Sequence, residues 1–255
     1  MLASLHLNDR LALVTGSSRG LGWAMAQGLA AAGARVVLHG RDREALRARA
    51  AELDQLGTPA AGIVSFDVAD GPAAKSALEA VAAEHGPLAI LVNNAGLIVR
   101  RPVLETTDDD WQRVIEADLS ACFRLSREAL RQMVPQGWGR IIMTSSIMGR
   151  VARPTVPGYV TAKHALIGLV RALAVEFAPC GITVNAIGPG YFPTEANQSL
   201  HADPAFNEWI SGRTPMRRWG RPEELQGAAV FLASEAASYV TGQILMVDGG
   251  LTAAL

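Results

Sequence analysis

LALVTGSSRGLGWAMAQGLAAAG, Leu11 to Gly33, fits a strand, a turn and a helix into one short stretch. LALV has the length and apolarity of a buried strand, and the alanine-rich AMAQGLAAAG stops at Gly33, where a C-capping glycine belongs. Between them TGSSRGLG, Thr15 to Gly22, carries its glycines as G-x-x-x-G-x-G, not as G-x-G-x-x-G. A glycine-rich turn that opens a helix can bring backbone N–H groups and the helix N-terminus up to a pyrophosphate. Taken alone, such a turn can also be an unliganded connection.

Working outward, the same alternation repeats. RVVLH (Arg35 to His39), AGIVSF (Ala61 to Phe66), AILVN (Ala89 to Asn93), RIIMT (Arg140 to Thr144), TVNAI (Thr183 to Ile187) and ILMV (Ile244 to Val247) read as further strands, making seven with LALV. Helical stretches such as REALRARAAELDQLG, ending at Gly57, lie between them. Strands alternating with helices predict an α/β fold, a doubly wound parallel sheet with helices on both faces. No linker-like or low-complexity tract interrupts it, so a single domain over residues 1–255 is expected. The least regular part, Pro189 to Pro222, holds PGYFPTEANQS, Trp209 and Trp219, and reads as a loop-rich substrate lid.

The end of the second strand bears on cofactor choice, because an acid there binds a ribose 2'-hydroxyl and a base meets a 2'-phosphate. The sequence reads VVLHGRDRE, with Gly40 in the acid's place and Arg41 after it, and Arg19 in the glycine turn can reach the same phosphate. Arginine pairs bidentately with phosphate, so NADP is favoured, with NAD possible. On the other reading Arg41 is the solvated start of a helix and Asp42 takes the hydroxyl.

YVTAK, Tyr159 to Lys163, contains one of only two lysines, the other being Lys75, in a chain with twenty-one arginines. Tyr159 and Lys163 are four apart and so share a helical face. Ser146 precedes them in the segment after the fifth strand. An ammonium can sit beside a phenol, hydrogen-bond a ribose and take part in proton exchange, which a guanidinium does poorly. Tyrosine ordinarily titrates near pH 10, and a nearby cation favours its phenolate. Lys163 would supply that charge while Ser146 polarises the substrate oxygen.

TGSSRGLG, NNAG (Asn93 to Gly96), Ser146 with Tyr159 thirteen residues later and Lys163, GPGYFPT (Gly188 to Thr194) and VDGG (Val247 to Gly250) occur in order. Along its whole length the chain resembles the short-chain dehydrogenase/reductase family. The resemblance implies a seven-stranded Rossmann-type sheet, a homotetramer, and hydride transfer between a nicotinamide and a substrate carbinol carbon. It makes Tyr159 the acid and base, Lys163 the ribose ligand, and Ser146 the partner of the substrate oxygen. Gly16, Ser18, Arg19 and Leu21 would line the phosphates, Asp67 and Val68 the adenine, and Asn93 with Ala95 the adjoining cofactor. Pro189, Gly190, Phe192 and Thr194 would hold the nicotinamide. One position departs: where the family has a catalytic Asn, WQRVIEADLSACF places Asp118. Its carboxylate would accept from a water leading to Lys163 and raise the pKa of both Lys163 and Tyr159; alternatively it is a structural helix residue.

Within the family, RRPVLE, SSIMGRVARPTVPGY, IGPGYFPTE and the segment from Arg213 to Gly250 resemble the gluconate 5-dehydrogenase branch, which implies D-gluconate or a related sugar acid as substrate. Arg100, Arg101, Arg150 and Arg153 lie on the two loops that flank the catalytic groups in this topology, and arginine clamps a carboxylate bidentately. Arg100 is the first choice for that role and Arg153 the second. Sibling reactions on 3-oxoacyl thioesters or polyols, and a dinucleotide-binding regulatory protein without turnover, are the alternatives.

Composition narrows the rest. With 49% hydrophobic residues and a net charge of -1, nothing favours nucleic acid or anionic membranes as partners. Asp9 and Arg10 interrupt what would have to be a signal core, and no apolar run reaches membrane-span length, so a cytoplasmic protein is expected. Cys122 and Cys180 lack redox or ligand spacing, and His6, His39, His85, His164 and His201 are scattered, so no metal is expected.

Overall fold

The computed structural model describes residues 2–254. Strands β1 (Leu11–Val14), β2 (Arg35–Gly40), β3 (Gly62–Ser65), β4 (Ile90–Asn93), β5 (Gly139–Thr144), β6 (Ile182–Pro189) and β7 (Ile244–Val247) form one parallel sheet in the order β3-β2-β1-β4-β5-β6-β7. Their unbroken apolarity has a simple cause: both faces are covered. Ala12, Val14, Val36, Leu38, Ile90, Val92 and Ile142 point to one core, and Leu11, Leu13, Val37, Leu91, Ile141 and Met143 to the other.

The first core is closed by α1 (Gly20–Ala31), α2 (Arg43–Gln55) and, from the end of the chain, Ala229, Leu232 and Ala233. The second is closed by α3 (Gly71–His85), by α5 (Ala121–Met133), which follows α4 (Asp108–Ile115), and by α6 (Pro157–Phe177). Side-chain oxygens start several of these helices: Asp42 caps α2, Asp70 caps α3, and Thr107 with Asp110 forms a capping box on α4. Between α4 and α5 the helix widens over Glu116–Ser120, where the Ala121 N–H donates back to the Glu116 carbonyl. Asp118 lies in the middle of this wide turn and is fully buried.

Strand order reverses between β1 and β4, both of which pair with their neighbours in parallel. Connections leave in opposite directions there, and a crevice opens beyond the C-terminal strand ends. The stretch read as a loop-rich lid is more regular than expected. It contains α7 (Gln198–His201) and α8 (Pro204–Arg213). Tyr191 packs edge-on against Phe206 and Trp219, each at 5.5 Å between ring centres, and His201 lies 4.9 Å from Trp219. Aromatic packing of this kind gives short helices the tertiary support that their length denies them.

Candidate active site

A cavity of about 940 Å³ occupies the crevice. At one end the turn after β1 enters α1. Gly16 has a left-handed φ of 66°, and a Cβ at Gly22 would stand 2.3 Å from the Gly16 carbonyl oxygen, so these two positions admit no side chain without rebuilding the turn. No side chain caps the start of α1, which leaves its first amides for a ligand. This cradle fits a dinucleotide pyrophosphate.

Gly16, Ser18, Arg19, Leu21, Arg41, Asp67, Val68, Ala95, Pro189, Gly190 and Thr194 all border the cavity, as do Asp118, Ser146, Tyr159 and Lys163. Asn93 and Phe192 do not. β4 alternation turns Asn93 toward α5, where its Nδ2 donates to Ser126 Oγ at 3.0 Å, and Asn94 takes the place beside the cavity. Asn94 Nδ2 donates to the Thr15 carbonyl at 2.9 Å, tying the β4 end to the glycine turn. Phe192 is buried in the core beneath Gly220, where a Cβ would meet its ring at 2.4 Å.

At the adenosine end, Asp42 Oδ1 accepts from the amides of Glu44 and Ala45, so this carboxylate is committed to the helix start. Arg41 stays exposed, its Nη1 lying 3.8 Å from Asp67 Oδ2. Arg19 pairs with Glu195 across the mouth of the cavity at 2.5 Å.

At the other end, Ser146 follows β5 and α6 carries Tyr159 and Lys163. Ser146 Oγ accepts from the Met148 amide at 3.1 Å, and its hydroxyl stands near enough to the Tyr159 phenol to favour the phenolate. Lys163 is buried beside Tyr159, its Nζ 5.3 Å from the centre of the ring. Nζ donates to the Thr144 carbonyl at 3.0 Å and lies 2.9 Å from Asp118 Oδ1. Asp118 Oδ2 accepts from the Leu97 amide at 3.0 Å. The carboxylate therefore reaches Lys163 directly, where the sequence suggested a path through water.

Charge and burial compete here. Burial lowers the Lys163 pKa, but the Asp118 carboxylate and the phenol outweigh it, and the net shift is upward. Burial raises the Tyr159 phenol and Asp118 raises it further, while Lys163, Ser146 and Arg100 pull it down; the net direction is again upward. A lysine already engaged by a carboxylate offers the phenolate less help than a lone one.

Of the four loop arginines, Arg100 and Arg153 border the cavity. Arg101 is instead 2.9 Å from Asp110. Arg100 Nη2 donates to Asn197 Oδ1 at 3.1 Å, and Arg153 Nη1 lies 3.5 Å from the Tyr191 hydroxyl oxygen and 5.4 Å from the Phe206 ring centre. Burial and the neighbouring Arg153 both lower the Arg100 pKa. Neither arginine has an acidic partner among the described residues. Tyr191 and Asn197 were not among the residues read from sequence; only their place in the irregular segment pointed to them.

Residues 16–252 match a family model described as enoyl-(acyl carrier protein) reductase. The gluconate 5-dehydrogenase of Gluconobacter oxydans is 42% identical over 249 residues, covering 98% of this chain and 97% of that protein. The chain belongs to the short-chain dehydrogenase/reductase family. A crystal structure of a gluconate 5-dehydrogenase from Burkholderia cenocepacia in complex with NADP and tartrate superposes with a TM-score of 0.95 at 40% identity, covering 99% of this chain and 98% of that one. The 3-oxoacyl-[acyl-carrier-protein] reductase of Escherichia coli is 38% identical over 247 residues, covering 97% of this chain and 99% of that protein. This short-chain dehydrogenase/reductase is thus an oxidoreductase with the family's Ser, Tyr and Lys in one cavity and a buried Asp118 beside the lysine.

Proposed function

We propose that the enzyme is an NADP-preferring dehydrogenase that interconverts D-gluconate, or a closely related sugar acid, with its 5-keto form. The observation that carries this reading is Arg100 and Arg153 standing without a carboxylate partner at the chemical end of the cavity. Two guanidiniums facing one space repel each other, and an anionic substrate relieves that repulsion while satisfying their N–H groups. The Burkholderia relative, crystallised with NADP and the hydroxy acid tartrate, supports the same chemistry.

When bound, the nicotinamide cofactor accepts or supplies the hydride. Tyr159 takes the proton of the substrate hydroxyl during oxidation and returns it to the ketone oxygen during reduction. Ser146 donates to that oxygen and fixes its position. Lys163 is held by Asp118 and the Thr144 carbonyl beside the phenol, and would there offer its ammonium to the ribose of a bound cofactor. Arg100 and Arg153 hold the carboxylate and so orient the far hydroxyl toward Tyr159. Gly16, Ser18, Arg19 and Leu21 would hold the pyrophosphate, Asp67, Val68 and Ala95 the adenosine half, and Pro189, Gly190 and Thr194 the nicotinamide. The resemblance adds a homotetramer and a cytoplasmic location to the reading; Trp111 and Phe123, apolar side chains left exposed on α4 and α5, are consistent with contact between copies of the chain.

The test is the formation of reduced cofactor by purified protein with NADP or NAD and a panel of gluconate, other aldonates, polyols and secondary alcohols. Gluconate-dependent NADPH formation is expected. Turnover of acetoacetyl thioesters without turnover of gluconate would assign the sibling reaction instead, which the Escherichia coli relative makes the second reading. Arg100→Met is expected to raise KM for gluconate roughly tenfold or more, since losing a charged hydrogen-bond donor costs about 1.5–3 kcal/mol, and to leave KM for neutral alcohols nearly unchanged. Equal losses on both substrate types would remove Arg100 from the carboxylate site.

Cofactor preference has its own check. Arg41→Ala is expected to reduce kcat/KM with NADP roughly tenfold while sparing NAD, because the 2'-phosphate loses a charged partner. A preference for NADP that survives the substitution would move the phosphate to Arg19.

A further inference from the structure

His39, next to last in β2, is 2% exposed yet borders the cavity, and nothing in the mechanism above uses it. From β2 it touches the two other segments that border this half of the crevice, the glycine turn and the residue after β3. Its Nδ1 accepts from the Gly16 amide at 3.1 Å. Its backbone amide donates to Ser17 Oγ at 2.9 Å, and its carbonyl accepts from the Ser17 amide at 2.9 Å. Its Nε2 lies 3.2 Å from the Phe66 carbonyl just past β3, and its ring lies against that of Phe66 at 4.1 Å between centres, tilted by 51°.

These partners fix one tautomer. Nδ1 faces a donor and must be bare, and Nε2 faces a carbonyl and must carry the proton. Burial holds the imidazole neutral, lowering its pKa to about 4 against the opposing pull of the Phe66 carbonyl and of Asp67. An added proton at Nδ1 would set N–H against N–H at Gly16.

We propose that His39 is a positioning residue for dinucleotide binding, pinning the glycine turn to the ends of β2 and β3 so that the amides opening α1 stay aimed into the cavity. The inference rests on the reading of this cavity as a dinucleotide site. Gly16 and Ser17 spend their amides inward on His39, which sets the path of the chain through Ser18 and Arg19 to the uncapped start of α1. A ligand met by a pre-formed turn does not have to order it.

The test compares His39→Phe, which keeps a ring against Phe66 but offers Gly16 no acceptor, with His39→Asn, whose amide oxygen can stand where Nδ1 stands. NADPH affinity is read from the fluorescence of the bound nucleotide, and KM and kcat from turnover. His39→Phe is expected to raise both Kd for NADPH and KM for NADP about tenfold, as loss of a buried hydrogen-bond partner does, with kcat falling far less. His39→Asn is expected to recover most of the affinity. A lowered melting temperature with wild-type Kd in His39→Phe would overturn the inference and leave a structural histidine. Equal weakening in both variants would overturn the acceptor role. A measurement on the unaltered protein does not depend on either variant folding: without nucleotide, the Gly16 amide proton is expected to exchange slowly, and exchange at the rate of an open loop overturns the proposal. Wild-type protein that binds neither NADPH nor NADH overturns the dinucleotide reading and this inference with it, whereas wild-type binding with unchanged variants overturns the inference alone.

Discussion

Tyr159→Phe is expected to lower kcat for gluconate oxidation by roughly 10²–10⁴-fold, the usual contribution of a positioned general acid or base, while Kd for NADPH stays within about threefold. The ring is retained, and with it the contact between its face and the Lys163 ammonium. What disappears is the oxygen that, in the proposed mechanism, accepts the substrate proton and that Ser146 and Lys163 favour as the phenolate. Ser146 cannot substitute, because its Oγ already accepts from the Met148 amide and has no base beside it to take up a proton. Lys163 cannot substitute either, since its pKa is held above the ordinary 10.5 and it stays protonated at neutral pH. Single-turnover measurement with saturating NADP separates chemistry from binding. Turnover within tenfold of wild type would place the proton transfer elsewhere.

The parts of this site that were legible in the sequence are those fixed by local spacing. Tyr159 and Lys163 share a face because they are four apart in one helix, and the glycine turn is a turn because Gly16 and Gly22 leave no room for Cβ atoms. The strands were legible for the same reason, being short apolar runs with both faces covered. What was lost depended on a single-residue phase. In NNAG either asparagine can be the one at the cavity, and β4 alternation selects Asn94. Phe192 sits one residue from Tyr191, and the chain turns one ring into the core and the other into the cavity. His39 was invisible because its partners, Gly16 and Phe66, come together only when three strand ends lie side by side. Of the four loop arginines, sequence favoured Arg100 and Arg153, and these two border the cavity, but their companions Tyr191 and Asn197 depend on how α7 and α8 fold over it.

Asp118→Asn is expected to move the pH profile of oxidation to lower pH, and the alkaline decline of 5-ketogluconate reduction with it. The sign follows from the charges. In the proposed mechanism oxidation needs the phenolate of Tyr159, and Asp118 raises the phenol both directly and by engaging Lys163 at 2.9 Å. Removing the carboxylate charge frees the ammonium to favour the phenolate, so the base form appears at lower pH. Reduction needs the protonated phenol, which the native carboxylate preserves to higher pH. On this argument the carboxylate, standing where the resemblance puts an asparagine, sets the pH range in which the acid/base group works and leaves the equilibrium between alcohol and ketone unchanged. Stability separates this effect from simple damage. Asp118→Ala strands a buried ammonium and is expected to cost about 3–5 kcal/mol, as breaking one half of a buried pair does. Asp118→Asn costs less, because its amide oxygen can still accept from the Leu97 amide or from Lys163. The Lys163 share of that stability is present below the ordinary lysine pKa of 10.5 and fades only as pH rises through its higher folded value, so denaturant midpoints should not drift across the neutral range for this reason. A shifted rate profile in Asp118→Asn, with far less loss of stability than in Asp118→Ala, would assign Asp118 to tuning the proton transfer. Identical pH profiles in both directions would leave it a structural partner of Lys163 and sink the proposal.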